Sequence, residues 1–219
     1  MEKMNRSAVI WAAGNLSLAV GLVLVACAMA VPHWVEGVMR DHLNGNLMAV
    51  DTYHGLWKNC TVSFNRELTC QPFPFIFSMV DQNPETAHIV KTRLLLTFAL
   101  LFAVAAIVGQ GAGHLRHQMK EGMLASAISC LFAALFVFVA SGIYVKYVQD
   151  ANRKSTESFH DETFNPIPQN AKTGSCLNMG LVGGIFFCMS SVFALLHVYL
   201  PKNPMYKMLQ QDLGVPVSI

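Results

Sequence analysis

Gly55-Leu56-Trp57, followed by Cys60 and then Cys70, is the stretch on which the reading of this chain turns. It lies in a polar segment between two long apolar runs, and a further tryptophan, Trp34, stands just past the first of them. Two cysteines at this spacing can close a loop of about ten residues, a constraint that contributes roughly 3 kcal/mol on a chain-entropy argument. Such a bond persists only in an oxidising compartment. The spacing therefore suggests a folded extracellular loop, held by a disulfide and carried on a membrane anchor.

The composition around that stretch agrees. Of 219 residues, 53% are apolar and only 13% charged, against about 25% charged in soluble domains. A positive mean hydropathy and four long apolar runs predict a polytopic membrane protein. The net charge of +2 is too small to imply a nucleic-acid partner. Of the other cysteines, Cys27, Cys130 and Cys188 fall inside apolar runs, where a thiol packs as a small apolar group. Cys176, at the edge of the last run, reads as a free thiol or another packing residue.

The first run, 8–31, has the length needed to cross a bilayer. Lys3 and Arg6 ahead of it favour a cytoplasmic N-terminus. Ala28-Met29-Ala30 resembles a signal-peptide cleavage site, but the run exceeds the usual signal core and is read as a retained span. Gly14 and Gly21 allow close helix contact. Pro32 ends the helix, and Trp34 falls at the interface. An outer loop follows over 32–92, too long for an idle linker. Short β-forming segments such as 60–64 and the Asn44-Gly45 turn signal predict a small antiparallel sheet. Pro72, Pro74 and Pro84 argue against a strand after Cys70. Phe73, Phe75, Ile76 and Phe77 form an apolar cluster, read either as a membrane-rim or partner contact or as a packed loop core. Asn59-Cys60-Thr61 fits the N-glycosylation pattern.

The second span is placed at 93–113, with Arg93 at its outer mouth. By itself that arginine reads as an interfacial cation. The link 114–121 carries Arg116 and Lys120, a cytoplasmic bias. Its His114 and His117 lack the further ligands a metal site needs. The third span is 122–147, a second outer loop 148–175, and the fourth span 176–200, with Gly180, Gly183 and Gly184 near its start. His197, near the far end of that span, reads as reaching the interface. The tail, 201–219, is marked cytoplasmic by Lys202 and Lys207. It closes on Val217-Ser218-Ile219, whose apolar end and carboxylate suit a PDZ scaffold. No G-x-S-x-G, H-E-x-x-H or P-loop is present, and no enzyme activity, cofactor or metal is expected.

Trp34, Gly55-Leu56-Trp57, Cys60 and Cys70 resemble the W, G-L-W, C, C signature of the claudin family, within the claudin and peripheral-myelin-protein superfamily. Arg93 stands where that family carries an arginine. Phe164-Asn165-Pro166 is similar to the aromatic-Asn-Pro element of claudin second loops. Gly174 to Gly180 resembles the family's G-x-S-L-Y-x-G lead into span four, with Cys176 and Asn178 in place of Ser and Tyr. The resemblance implies a mainly α membrane protein: a four-helix bundle bearing a small extracellular antiparallel β-sheet, completed by one strand from the second outer loop. It also implies a third span that projects past the bilayer.

In function, the resemblance implies a plasma-membrane junction protein that meets copies of itself in cis and in trans. Phe164-Asn165-Pro166 and the Phe73 to Phe77 cluster would supply the contacts. Loop residues beside the disulfide line pores in the family. Thr61 and Gln71 are neutral here, which points to a barrier or a weakly selective pore. The alternative is a gamma-type auxiliary subunit that binds the pore subunit of an ion channel, and a third reading is an adhesion or trafficking protein. Two departures stand out. The segment from Cys70 to Arg93 is longer than usual, and the tail lacks the Tyr-Val end common in claudins, which puts PDZ binding in doubt.

Overall fold

The computed structural model describes residues 6–43, 46–62, 67–72, 87–115, 119–157 and 169–199. Four helices carry the chain: α1 (Arg6–Ala30), α2 (Ala87–Leu115), α3 (Met119–Glu157) and α4 (Ser175–Tyr199). Each contains a stretch long and apolar enough to cross a membrane. Between them lie β1 (Val35–Leu43), β2 (Asn46–His54), β3 (Lys58–Val62), β4 (Leu68–Pro72) and β5 (Gln169–Thr173). The sheet follows the end of α1 and the end of α3, and precedes the starts of α2 and α4. It therefore caps one end of the bundle, and the start of α1 and the end of α4 share the other.

Where α2 and α3 pack, alanine dominates the buried positions, while many large apolar residues point outward. Along α2, Leu96, Ala99, Ala103 and Ala106 are buried, at helical spacing. Along α3, Ala127, Cys130, Ala133, Ala134, Val137, Ala140 and Tyr144 are buried. α2 packs mainly on α3, α1 mainly on α4, and α3 also meets α4, where the Cys130 thiol lies 3.7 Å from the Ser190 hydroxyl. Leu101, Val108, Leu131, Leu135, Ile185 and Val192 point outward. In lipid, apolar tails give helices no hydrophobic reason to associate, so close packing of small residues does the work. A Cβ on Gly21 would meet the Phe187 ring and the Gly183 carbonyl, so the α1–α4 approach is close.

The sheet has the order β4-β3-β2-β1-β5. The β1–β2 pairing runs from Val35↔His54 to Leu43↔Asn46, across a two-residue connection that lies outside the described residues. The strand drawn from the second loop is β5, which pairs with β1 through Val35↔Thr173 and Glu36↔Lys172, then shifts register before Val38↔Gln169. One expectation needs correcting. The prolines argued against a strand after Cys70, yet β4 continues through Pro72, which pairs with Lys58. It does so because β4 is the sheet edge, where a missing N–H on the outer side costs no ladder bond.

The helices also overrun the spans drawn from hydropathy. The second begins at Ala87, ahead of Arg93, which places that residue within the helix instead of at its mouth. The third continues to Glu157, a continuation past 147 of the kind the resemblance implies. Its extension carries β5: Val148 and Ala171 are buried, and Asn152 Nδ2 donates to the Ala171 carbonyl at 2.8 Å.

Candidate functional site

The residues singled out in the sequence converge where the sheet meets the bundle. Trp34 is the centre. It is fully buried, and its indole Nε1–H donates to the Ala28 carbonyl, 2.6 Å away in the last turn of α1. A helix end leaves its final carbonyls without intrahelical partners, and Trp34 satisfies one of them. Its ring lies 5.0 Å from that of Tyr144 on α3. Its backbone is held from both sides: Trp34 N–H donates to the His54 carbonyl at 3.0 Å, and Gly174 N–H donates to the Trp34 carbonyl at 2.8 Å. Cys176 N–H, in the first turn of α4, donates to the His33 carbonyl at 3.0 Å.

This clasp requires glycine at two positions. A Cβ on Gly174 would run into the carbonyl of His33, and one on Gly55 into the Cα of Pro32. Both contacts are with backbone, which cannot swing aside. Gly55 also donates its N–H to the Lys58 carbonyl at 2.9 Å, closing the turn between β2 and β3. The turn presents Leu56, fully buried, and Trp57, half-buried, to the bundle.

Arg93 joins that turn to α2. Its Nε donates to the Leu56 carbonyl at 2.7 Å, and its guanidinium sits 4.6 Å from the centre of the Trp57 ring. With 2% of its surface exposed, it does not snorkel to water. It is a buried anchor. Planar and permanently charged, a guanidinium can hydrogen-bond at its edge while its face lies on an aromatic ring. Its Nη2 has no hydrogen-bond partner among the described residues.

Cys60 and Cys70 are disulfide-bonded. They are direct partners in the β3–β4 ladder, Cys60 buried and Cys70 exposed. The bond ties the edge strand to the part of the sheet that Arg93 fixes. Asn59 lies within β3 with its Oδ1 buried and unpartnered among the described residues. On this hairpin Thr61 is half-buried and Gln71 exposed, and the described charges are Lys58 and Glu67, of opposite sign. Of the remaining cysteines, Cys27 is exposed on α1, Cys130 and Cys176 are buried, and Cys188 is half-buried, all as free thiols.

Several participants had no signal in the sequence. The Ala28 carbonyl is one, since any residue supplies it. Tyr144, at the end of span three, is another, since nothing in the sequence ties it to Trp34. His88, Tyr147 and the ring of His54 also line the joint. The His88 ring stacks on Tyr147 with centroids 3.5 Å apart and meets Tyr144 edge-on at 5.9 Å. Burial pushes the His54 imidazole down to about 4. By contrast His33, which pairs with Glu36 at 3.8 Å, is partly exposed, and such a pair contributes little.

Phe73, Phe75, Phe164, Asn165, Pro166, Val217 and Ile219 lie outside the described residues, as does the Arg116–His117 link. Among the described residues, no three His, Cys, Asp or Glu side chains are placed to share a metal ion. What the arrangement does is mechanical: it fixes a disulfide-tied sheet rigidly to four helices through hydrogen bonds and ring contacts.

Comparison with curated proteins returned no match. The sequence model described as PMP-22/EMP/MP20/Claudin family matches residues 7–194, which takes in all five strands and all four helices apart from Arg6 of α1 and the end of α4 after Ala194. With the helical bundle, the five-stranded cap and the disulfide in place, the chain belongs to the PMP-22/EMP/MP20/Claudin family.

Proposed function

We propose that this protein is a cell–cell junction component of the plasma membrane. In this reading the sheet faces the extracellular space, both chain ends are cytoplasmic, and loop contacts with copies in cis and in trans build a paracellular barrier or a weakly selective pore. One observation carries the reading. The sheet is clamped to the bundle at Trp34, Leu56, Arg93 and Gly174, so its orientation to the membrane is fixed. A regular array of copies along a cell contact needs that rigidity, because each sheet must meet its neighbour at one angle.

Ion preference follows from the β3–β4 hairpin. Coulomb selection in a pore needs fixed charge of one sign along its narrow part. Thr61 and Gln71, the residues directly after the two cysteines, are neutral. A NaCl gradient across layers of expressing cells should therefore give a reversal potential near that of free diffusion. A strong shift toward either ion would overturn this part.

The role itself is tested by expression alone in cells without junctions. Strands at cell contacts in freeze-fracture images support the junction reading. Retention inside the cell until a channel pore subunit is co-expressed would replace it with the auxiliary-subunit reading. Deleting Val217 to Ile219 without loss of strands would show that a PDZ scaffold is dispensable.

A further inference from the structure

We propose that His54 and His88 act as a proton-operated release for the joint between sheet and bundle. His54 is the last residue of β2, and its carbonyl holds the backbone of Trp34. His88 is in the first turn of α2, stacked on Tyr147 and edge-on to Tyr144. Each ring has its Nε2 buried without a hydrogen-bond partner among the described residues. The two imidazoles are close enough to feel one another's charge. The rings thus sit on opposite sides of the same seam, one on the sheet and one on the bundle, packed as neutral aromatic groups.

The groups around them do not welcome a proton. From α2 comes Arg93, already a cation, which interacts with the same Tyr144. From α3 come Tyr144 and Tyr147, both aromatic and uncharged at neutral pH. Lys58 on β3, Lys91 on α2, and Lys146 and Asp150 on α3 are exposed. Glu36 on β1 is engaged with His33. Charging either imidazole puts a cation beside a second histidine in a desolvated seam.

The direction with pH follows. Burial holds the His54 proton to about 4 in the closed joint, against about 6.5 for a free imidazole. Above 6.5 the ring is neutral whether the joint is closed or open, and acidity has no effect. Between 6.5 and about 4 only the open form takes up the proton. Each unit of pH in that window therefore shifts the balance toward opening by up to tenfold for the His54 proton. The device is independent of what the outer surfaces bind, so its failure would leave the junction reading standing.

The test uses the full chain in phosphatidylcholine nanodiscs. Amide hydrogen exchange, corrected for intrinsic pH dependence, is compared at pH 7.5 and 5.0. Amides at 54–58 and 88–93 should exchange at least tenfold faster at pH 5.0, while those at 99–106 should not change. The double variant His54→Gln, His88→Phe should flatten the response, since Phe keeps the ring on Tyr147 and cannot be protonated. His33→Gln should leave it intact. A pH-independent wild type, or a response surviving in the double variant, overturns the proposal. Should the double variant fail to fold, the single variants His54→Gln and His88→Phe decide: each should reduce the ratio of exchange rates between pH 5.0 and 7.5 at these amides, and an unchanged ratio in both overturns the proposal.

Discussion

Arg93 shows how much one side chain can depend on its surroundings. The sequence placed a cation near a membrane boundary, where it reads equally as a snorkelling residue. What distinguishes the two is the carbonyl of Leu56, 37 residues away in the chain, and a backbone carbonyl leaves no mark in sequence. The same holds for Trp34 and the Ala28 carbonyl. Trp57 and Gly55 were visible as residues, but their reasons, a ring under a guanidinium and a Cβ that has no room, required the fold. The arginine's contribution is a charged hydrogen bond and a desolvated cation–π contact, together about 3 kcal/mol. Arg93→Ala should lower the thermal midpoint in detergent sharply. Arg93→Lys should recover less than half of that loss, because an ammonium cannot bond the carbonyl edge-on and lie flat on Trp57 at once. Full recovery by lysine would show that charge alone matters here.

Among the elements, the helices were the easiest to read, since 20 apolar residues have few other meanings. Their ends were not. Hydropathy ends span three at 147 and the family resemblance implies a projection beyond it; α3 runs on to Glu157, with Asn152 and Val148 finding partners on β5. Tertiary contact, not local pattern, sets that boundary. The strands are legible as a small sheet, while Pro72 argues against the two residues of β4 past Cys70, and an edge position is a setting in which that argument fails. The disulfide joins this edge to the anchored part of the sheet. A five-residue edge strand has little apolar surface of its own, and Leu68 to Pro72 is exposed throughout. Cys60→Ser and Cys70→Ser should therefore each cost roughly 3 kcal/mol and trap the protein inside the cell. Surface labelling checks this, and normal delivery of both variants would mean that β4 holds without its sulphur link.

For the molecule as a whole, the alanine-rich packing of α2 on α3 sets which changes are tolerated. Ala103 is buried in the α2–α3 seam and Leu101, two residues earlier, faces outward. Ala103→Leu should overpack the seam and cost about 1–3 kcal/mol, whereas Leu101→Ala should shift the thermal midpoint little. Comparable effects for the two would contradict the seam as described. The cap carries a different consequence. Its first strand is completed by its last: Val35 pairs with Thr173, and Gly174 closes over Trp34. At an ordinary synthesis rate of 5–20 residues per second, the ~140 residues between those partners take on the order of ten seconds to emerge. Throughout that interval the nascent chain presents β1 with one side unpaired, an open template for strands of other chains. Translation stalls in the third helix would thus yield a product with its anchors inserted and its sheet unfinished, the form most in need of a chaperone on that side of the membrane.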